Sequence, residues 1–156
     1  MMHDGRHDFA FQTGDWRVRH RKLSERLAGS DDWFEFDGTC RGWELIGGAG
    51  NVDDHWLDDP HGAYAAATVR RTDPATGLWS IWWLDSRFPG LAPPLQGGFE
   101  GGVGTFFGQD DHAGRPIDIR FIWSEITESG ARWEQAFSAD GGMTWEVNWI
   151  MAFTRA

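Results

Sequence analysis

Six polar side chains fall within otherwise apolar or alternating stretches and could do chemistry there: His20, Tyr64, Asp85, Arg120, Glu134 and Asn148. A carboxylate pair such as Asp85 and Glu134 could move protons if burial raised the pKa of one of them. Polar groups enclosed by apolar ones more often pair with each other, as Arg120 would with Glu134 or Asp85, or orient the polar end of a bound molecule. Unpaired, each would cost roughly 1–3 kcal/mol. No Ser-His-Asp spacing, nucleophile elbow or metal-ligand motif accompanies them. Binding or structural roles therefore fit better than catalysis, and no catalytic residue is assigned.

Other clusters are weaker. Asp53, Asp54, His55, Asp58, Asp59 and His61 form the densest group of metal-capable residues. Strand alternation would send Asp53 and Asp54 to opposite faces, and 58–62 reads as a turn, so a solvated acidic patch is expected and no metal site. His3 and His7 lie in a polar terminus and read as solvated. The single cysteine, Cys40, excludes an internal disulfide and is expected as a small buried hydrophobe. The glycine-rich stretch 47–51 lacks the Lys-Ser/Thr and the following helix of a phosphate loop, and reads as a hairpin turn.

Composition narrows the partners. A net charge of -10 opposes nucleic acid and anionic lipid surfaces. Aromatic stacking without a basic groove does not make a nucleic-acid binder. No run of about 18 apolar residues is present to span a membrane, and residues 1–8 are polar, unlike a signal peptide. A soluble, cytoplasmic protein is expected. Eleven tryptophans and eleven phenylalanines are many for 156 residues. They suit a lumen lined with rings, a subunit interface, or both.

The elements that must position these side chains are short strands. Residues 1–8 are expected as a flexible arm and 9–13 as a helical turn, followed by one domain over 9–156. From Trp16 the chain alternates, with Trp16, Val18 and His20 on one face and arginines on the other. Further strands are expected at 33–46, 52–58, 64–71, 78–87, 117–126, 132–138 and 145–153, with a hairpin over 96–108 centred on Gly101-Gly102. Isolated glycines at 38 and 42 suggest a bend or bulge. Residues 73–77 form a Pro/Gly hairpin turn. Residues 110–116 read as another turn. Residues 88–94 are the longest irregular segment, placed to be a flap over a mouth. Trp79, Ile81, Trp83 and Asp85 share a face, as do Trp133, Gln135 and Phe137. Ser138-x-Asp140-x-Gly142-x-Thr144-Trp145 resembles the Asp-box turn of sialidases and other propeller proteins, here in one copy, and implies a rigid hairpin.

Some ten strands joined by short turns spell an all-β, up-and-down antiparallel meander. Closing it into a single barrel removes the exposed edges and leaves an interior wide enough for one small ligand. The Gly14-x-Trp16 opening and Arg155 at the end resemble the lipocalin/calycin signature. Residues 9–16, 36–39, 79–85 and 133–149 are similar to an uncharacterised bacterial family of lipocalin-like proteins. The closure expected here sets the first and last strands side by side, with Trp16 plugging one end and Arg155 against its ring. The resemblance itself implies a calycin barrel and an apolar ligand. Haem, as in the ten-stranded nitrobindin-type relatives, would call for a histidine on a late strand, and 113–156 has none. No cofactor is assigned.

The residues expected at the ligand are Trp83, Trp123, Phe137 and Trp149 as lining, with His20, Tyr64, Asp85, Arg120, Glu134 and Asn148 as polar contacts. The leading reading is a binder of a small, largely apolar molecule. An enzyme acting on a hydrophobic molecule in the same barrel is one alternative. A homodimeric scaffold with a filled interior, joined by outward tryptophans, is the other.

Overall fold

A computed structural model describes residues 3–156. Ten strands follow one another: β1 (Gly14–Leu23), β2 (Trp33–Leu45), β3 (Gly50–Leu57), β4 (Tyr64–Asp73), β5 (Leu78–Asp85), β6 (Leu95–Glu100), β7 (Val103–His112), β8 (Arg115–Ser124), β9 (Gly130–Ser138) and β10 (Glu146–Arg155). Each pairs antiparallel with its sequence neighbours, and β1 pairs with β10, so the sheet is a closed up-and-down barrel. Two 3-10 turns, Ala10–Gln12 and Ile46–Gly48, are the helical elements among the described residues. Alternation dictates the faces: β1 buries Trp16, Val18, His20 and Lys22, while Arg17, Arg19 and Arg21 face water.

At the seam, Trp16 is opposite Arg155 and Val18 opposite Phe153. The Arg155 guanidinium lies 3.7 Å from the Trp16 ring centroid. It also donates to the carbonyls of Phe11, Thr13 and Glu128. One side chain thus ties β10 to the segment before β1 and to the β8–β9 connection. Trp16 is buried and donates its Nε1 to the Gln12 carbonyl at 2.8 Å. Phe9, on the same segment, packs edge-on against Trp79, Phe99 and Trp123. Phe9 and Trp16 together fill this end of the barrel. Residues 1–2 of the expected arm lie outside the described residues. The rest of the arm meets the barrel: the His7 amide donates to the Gly48 carbonyl, and Asp8 accepts from Trp79 Nε1.

Three expectations need correction. Gly38 and Gly42 do not bulge, and pairing runs in register through both. They allow close approach instead: a Cβ at Gly38 would lie 2.5 Å from the Trp56 carbonyl oxygen, and one at Gly42 would overlap Gln12. The register shift falls between Val147 and Trp149 in the last strand, where strict alternation would put Val147, Trp149, Met151 and Phe153 on one face and Asn148 on the other; instead neighbouring Asn148 and Trp149 are both buried. The turn expected over 110–116 is tighter, because β7 and β8 stay paired out to His112 and Arg115. The expected Asp-box geometry is present: the Asp140 carboxylate accepts from the Met143 and Thr144 amides and from the Thr144 hydroxyl.

Removing the Arg155 side chain takes away one ring contact and three charged hydrogen bonds at the seam. Arg155→Ala is expected to lower stability by about 2 kcal/mol, read as the shift in a urea unfolding curve. An unchanged midpoint would mean that strand pairing alone holds the seam.

Candidate functional site

The lumen has two halves. The half nearest Trp16 is packed with rings. The half at the other end is open, because β1, β3, β5, β7 and β9 all finish there and their loops surround a mouth. A cavity of about 550 Å³ occupies it. Its apolar wall comes from Ile81 and Trp83 on β5, Ile119 and Phe121 on β8, Trp133 and Phe137 on β9, and Trp149 on β10. Phe88 and Leu91, in the irregular segment after β5, lie over it and are largely exposed.

Charged groups gather at the rim. Asp85 receives Arg87 at 2.8 Å and Trp83 Nε1 at 3.2 Å, and the Arg87 guanidinium sits 3.7 Å from the Tyr64 ring centroid. Lys22 is 6% exposed and donates to the Tyr64 hydroxyl at 3.2 Å. Its ammonium lies 4.2 Å from the Trp149 ring centroid. Arg26, in the β1–β2 loop, lies over Phe137. Neither Lys22 nor Arg26 forms an ion pair among the described residues. Burial, helped by Arg26 and Arg87 and opposed by Asp59 and Asp85, pushes the Lys22 amine down to about 8. Burial pushes the Tyr64 hydroxyl up to about 12.

Behind the aromatic wall the polar groups bond to one another. Gln135, which lines the cavity, donates to Asn148 at 2.8 Å. Trp149 Nε1 donates to His20 Nδ1 at 3.1 Å, and the His20 ring stacks on Phe36. Burial, with smaller contributions from His55 and Lys22, pulls His20 down to about 3. His20 therefore orients Trp149 as a neutral ring.

A second buried cluster overturns the expectation of a solvated acidic patch. Asp53 and His55 are buried, because alternation turns both inward while Asp54 and Trp56 face out. Asp53 accepts from Arg70 at 2.8 Å, Gln12 at 3.0 Å and the Thr68 amide at 3.0 Å. Burial alone would raise its pKa, but Arg70, His55 and Thr68 outweigh it and hold the carboxyl well below the usual range. Cys40, Asp53 and His55 bring one ligand atom each within 4.8 Å of one another, close enough for a metal to bridge. Two features disfavour a cation there. Arg70 already neutralises Asp53, and burial pushes the Cys40 thiol up, away from the thiolate a metal needs. The cluster reads as a structural tie from β3 and β4 to the N-terminal turn.

Of the residues assigned from sequence, Trp83, Asp85, Phe137 and Trp149 line the cavity. Tyr64 holds Lys22, while His20 and Asn148 stand one layer behind the wall. Trp123 lies in the packed half, against Phe9, Phe11 and Phe153. Arg120 and Glu134 are not inward. They alternate with the buried Ile119, Phe121, Trp133 and Gln135 and so lie on the outer face. There Arg120 stacks on Trp145 and Glu134 pairs with Arg132. Lys22, Arg26, Arg87, Phe121 and Trp133 were not assigned. Lys22 carries a sequence signal, two residues past His20 on the same face. Arg26 and Arg87 sit in loops, where periodicity says nothing.

The outer surface bears one apolar row. Trp43, Val52, Val69 and Trp82 are in register across β2, β3, β4 and β5 on the outer face.

No family model and no curated sequence matches the chain. Among solved structures, the barrel is similar to the S-type phycobiliprotein lyase from Guillardia theta. The TM-score is 0.57 at 11% identity, over 95% of this chain and 90% of that one. At that identity the likeness speaks for the fold alone. No helix among the described residues is long and apolar enough to cross a membrane.

The buried His20 makes the fold sensitive to acid. Its folded pKa lies below the ordinary 6.5, so its contribution is complete above that value and drains as pH falls toward about 3. One such group changes stability by about 1.4 kcal/mol per pH unit in that window. His20→Gln, which can still accept from Trp149, is expected to flatten the stability profile between about pH 6 and pH 4. Asp53 adds a separate loss at lower pH. Superimposable profiles for the two proteins would show that His20 is not the group responsible.

Proposed function

We propose that the protein binds a small, largely apolar molecule in the open half of its lumen. The observation that carries this is the cavity of about 550 Å³, walled by five aromatic rings and rimmed by two cations without carboxylate partners among the described residues. A pocket of this size, mostly apolar with a few convergent polar groups, is the usual form of a small-molecule site. Lys22 and Arg26 call for a ligand whose polar end carries a negative charge or a carbonyl oxygen. Trp83, Phe121, Trp133, Phe137 and Trp149 accept its apolar body. That a phycobiliprotein lyase uses a similar barrel supports a small-molecule reading.

Trp83, Trp133 and Trp149 report occupancy directly. 2-Naphthoic acid or a medium-chain fatty acid is expected to alter tryptophan fluorescence in a saturable way. Ile119→Trp, which pushes a larger ring into the cavity from its wall, should weaken that binding at least tenfold, about 1.4 kcal/mol. Failure of both acids to perturb the fluorescence, or equal affinity in the narrowed variant, would remove the reading.

The outer row Trp43–Val52–Val69–Trp82 favours a second, compatible feature, the pairing of two copies of the chain across this face. Wild-type protein should sediment as a dimer at micromolar concentration and Trp43→Glu as a monomer. A wild-type monomer throughout would dismiss it.

A further inference from the structure

Of the 14 lysines and arginines in this chain, one is a lysine, and it is Lys22. Everywhere else positive charge is carried by arginine, including Arg26 and Arg87 at the same rim. The lone lysine is also unlike a surface lysine in its setting. It is 6% exposed, it lines the cavity, and it has no ion-pair partner among the described residues. An arginine would supply charge at this place more durably, because a guanidinium stays protonated at any working pH. What lysine offers and arginine does not is a primary amine that can lose its proton and act as a nucleophile.

The surroundings match that use. Apolar walls in front of Nζ leave room for a ligand and disfavour the ammonium form. The Tyr64 hydroxyl stands 3.2 Å from Nζ and stays protonated, so it can deliver a proton to an oxygen bound beside the amine. Tyr64 is in turn fixed by the Arg87 guanidinium stacked on its ring, which Asp85 holds in place.

We propose that Lys22 captures an apolar aldehyde or ketone in the cavity by forming an imine through Nζ. This rests on the small-molecule reading above and narrows the ligand to a carbonyl compound. The lone pair of the unprotonated Nζ adds to the carbonyl carbon while the carbon–oxygen π pair moves to oxygen. That oxygen takes a proton, with Tyr64 as the nearest donor, and the nitrogen gives one up, so Tyr64 is restored. The resulting hydroxyl takes the second proton of the nitrogen, again by way of Tyr64, and leaves as water as the nitrogen lone pair forms the C=N bond. One water is released and no oxidant or reductant is consumed. An amine held down to about 8 by burial and by Arg26 and Arg87, against Asp59 and Asp85, is substantially free at mildly alkaline pH.

The test uses 2-naphthaldehyde at about pH 8, with 2-naphthalenemethanol as the matching compound without a carbonyl. Sodium borohydride fixes any imine as a stable secondary amine. Wild-type protein should gain the mass of one naphthylmethyl group, and peptide mapping should place it on Lys22 and not on the N-terminal amine. The alcohol should give no adduct, and Lys22→Arg should lose it. Mapping in the wild type keeps the result readable even if the variant folds poorly. Fluorescence quenching by both compounds with no label on Lys22, or with label only at the N-terminus, overturns the imine and leaves cavity binding standing. Absence of quenching by either compound, together with absence of the adduct, overturns the binding reading and the imine with it.

Discussion

Pairing between β1 and β10 is the constraint on which the rest depends. A meander of ten strands left open would present two unpaired edges and a sheet whose ring-bearing face meets water. Closing it satisfies both edges and turns that face into a lumen. The pairing runs from Trp16 opposite Arg155 to Lys22 opposite Trp149. It therefore sets the relation of His20 to the indole it orients, and of Lys22 to the ring it faces. A slip of one residue would put the arginines of β1 inside.

Closure creates more interior than side chains of one layer can fill, and the two halves of the lumen meet this differently. In the closed half the N-terminal segment folds inward and contributes Phe9 and Gln12, which fill the space beside Trp16 of β1. The buried Asp53–Arg70 pair lies in this half and is bonded on several sides, which offsets the cost of enclosing two charges. In the open half no segment enters, and the space stays lined but unfilled. The rim groups there are deliberately unequal. Arg87 is paired with Asp85, while Lys22 and Arg26 form no ion pair among the described residues.

Glycine serves the barrel in two ways. In turns, Gly77, Gly101 and Gly102 take positive φ that bulkier residues resist. Within β2, Gly38 and Gly42 sit on the inward face where His20 and Gln12 press against the backbone. The second role is invisible to a rule that reads strand glycines as bulges. What matters there is the side chain arriving from another element.

The sequence by itself determined the architecture. Alternation sorts the side chains of β1, β5 and β9 into two faces without naming the inward one, turn residues mark the hairpins, and the first and last strands carry the residues that seal the seam. Those signals are local, and in a meander each strand pairs with its neighbours in sequence, so local signals suffice. Only the tertiary structure decided the site. Arg120 and Glu134 were chosen for their chemistry, and the pleat carries them outside. The shift at Asn148 turns two neighbours inward at once. Asp53 and His55 look like part of a solvated patch until Arg70, Gln12 and Cys40 arrive from other elements. Which polar residues face a void depends on how ten strands and an N-terminal plug share one interior, and that sum over distant segments is written in no single stretch of the chain.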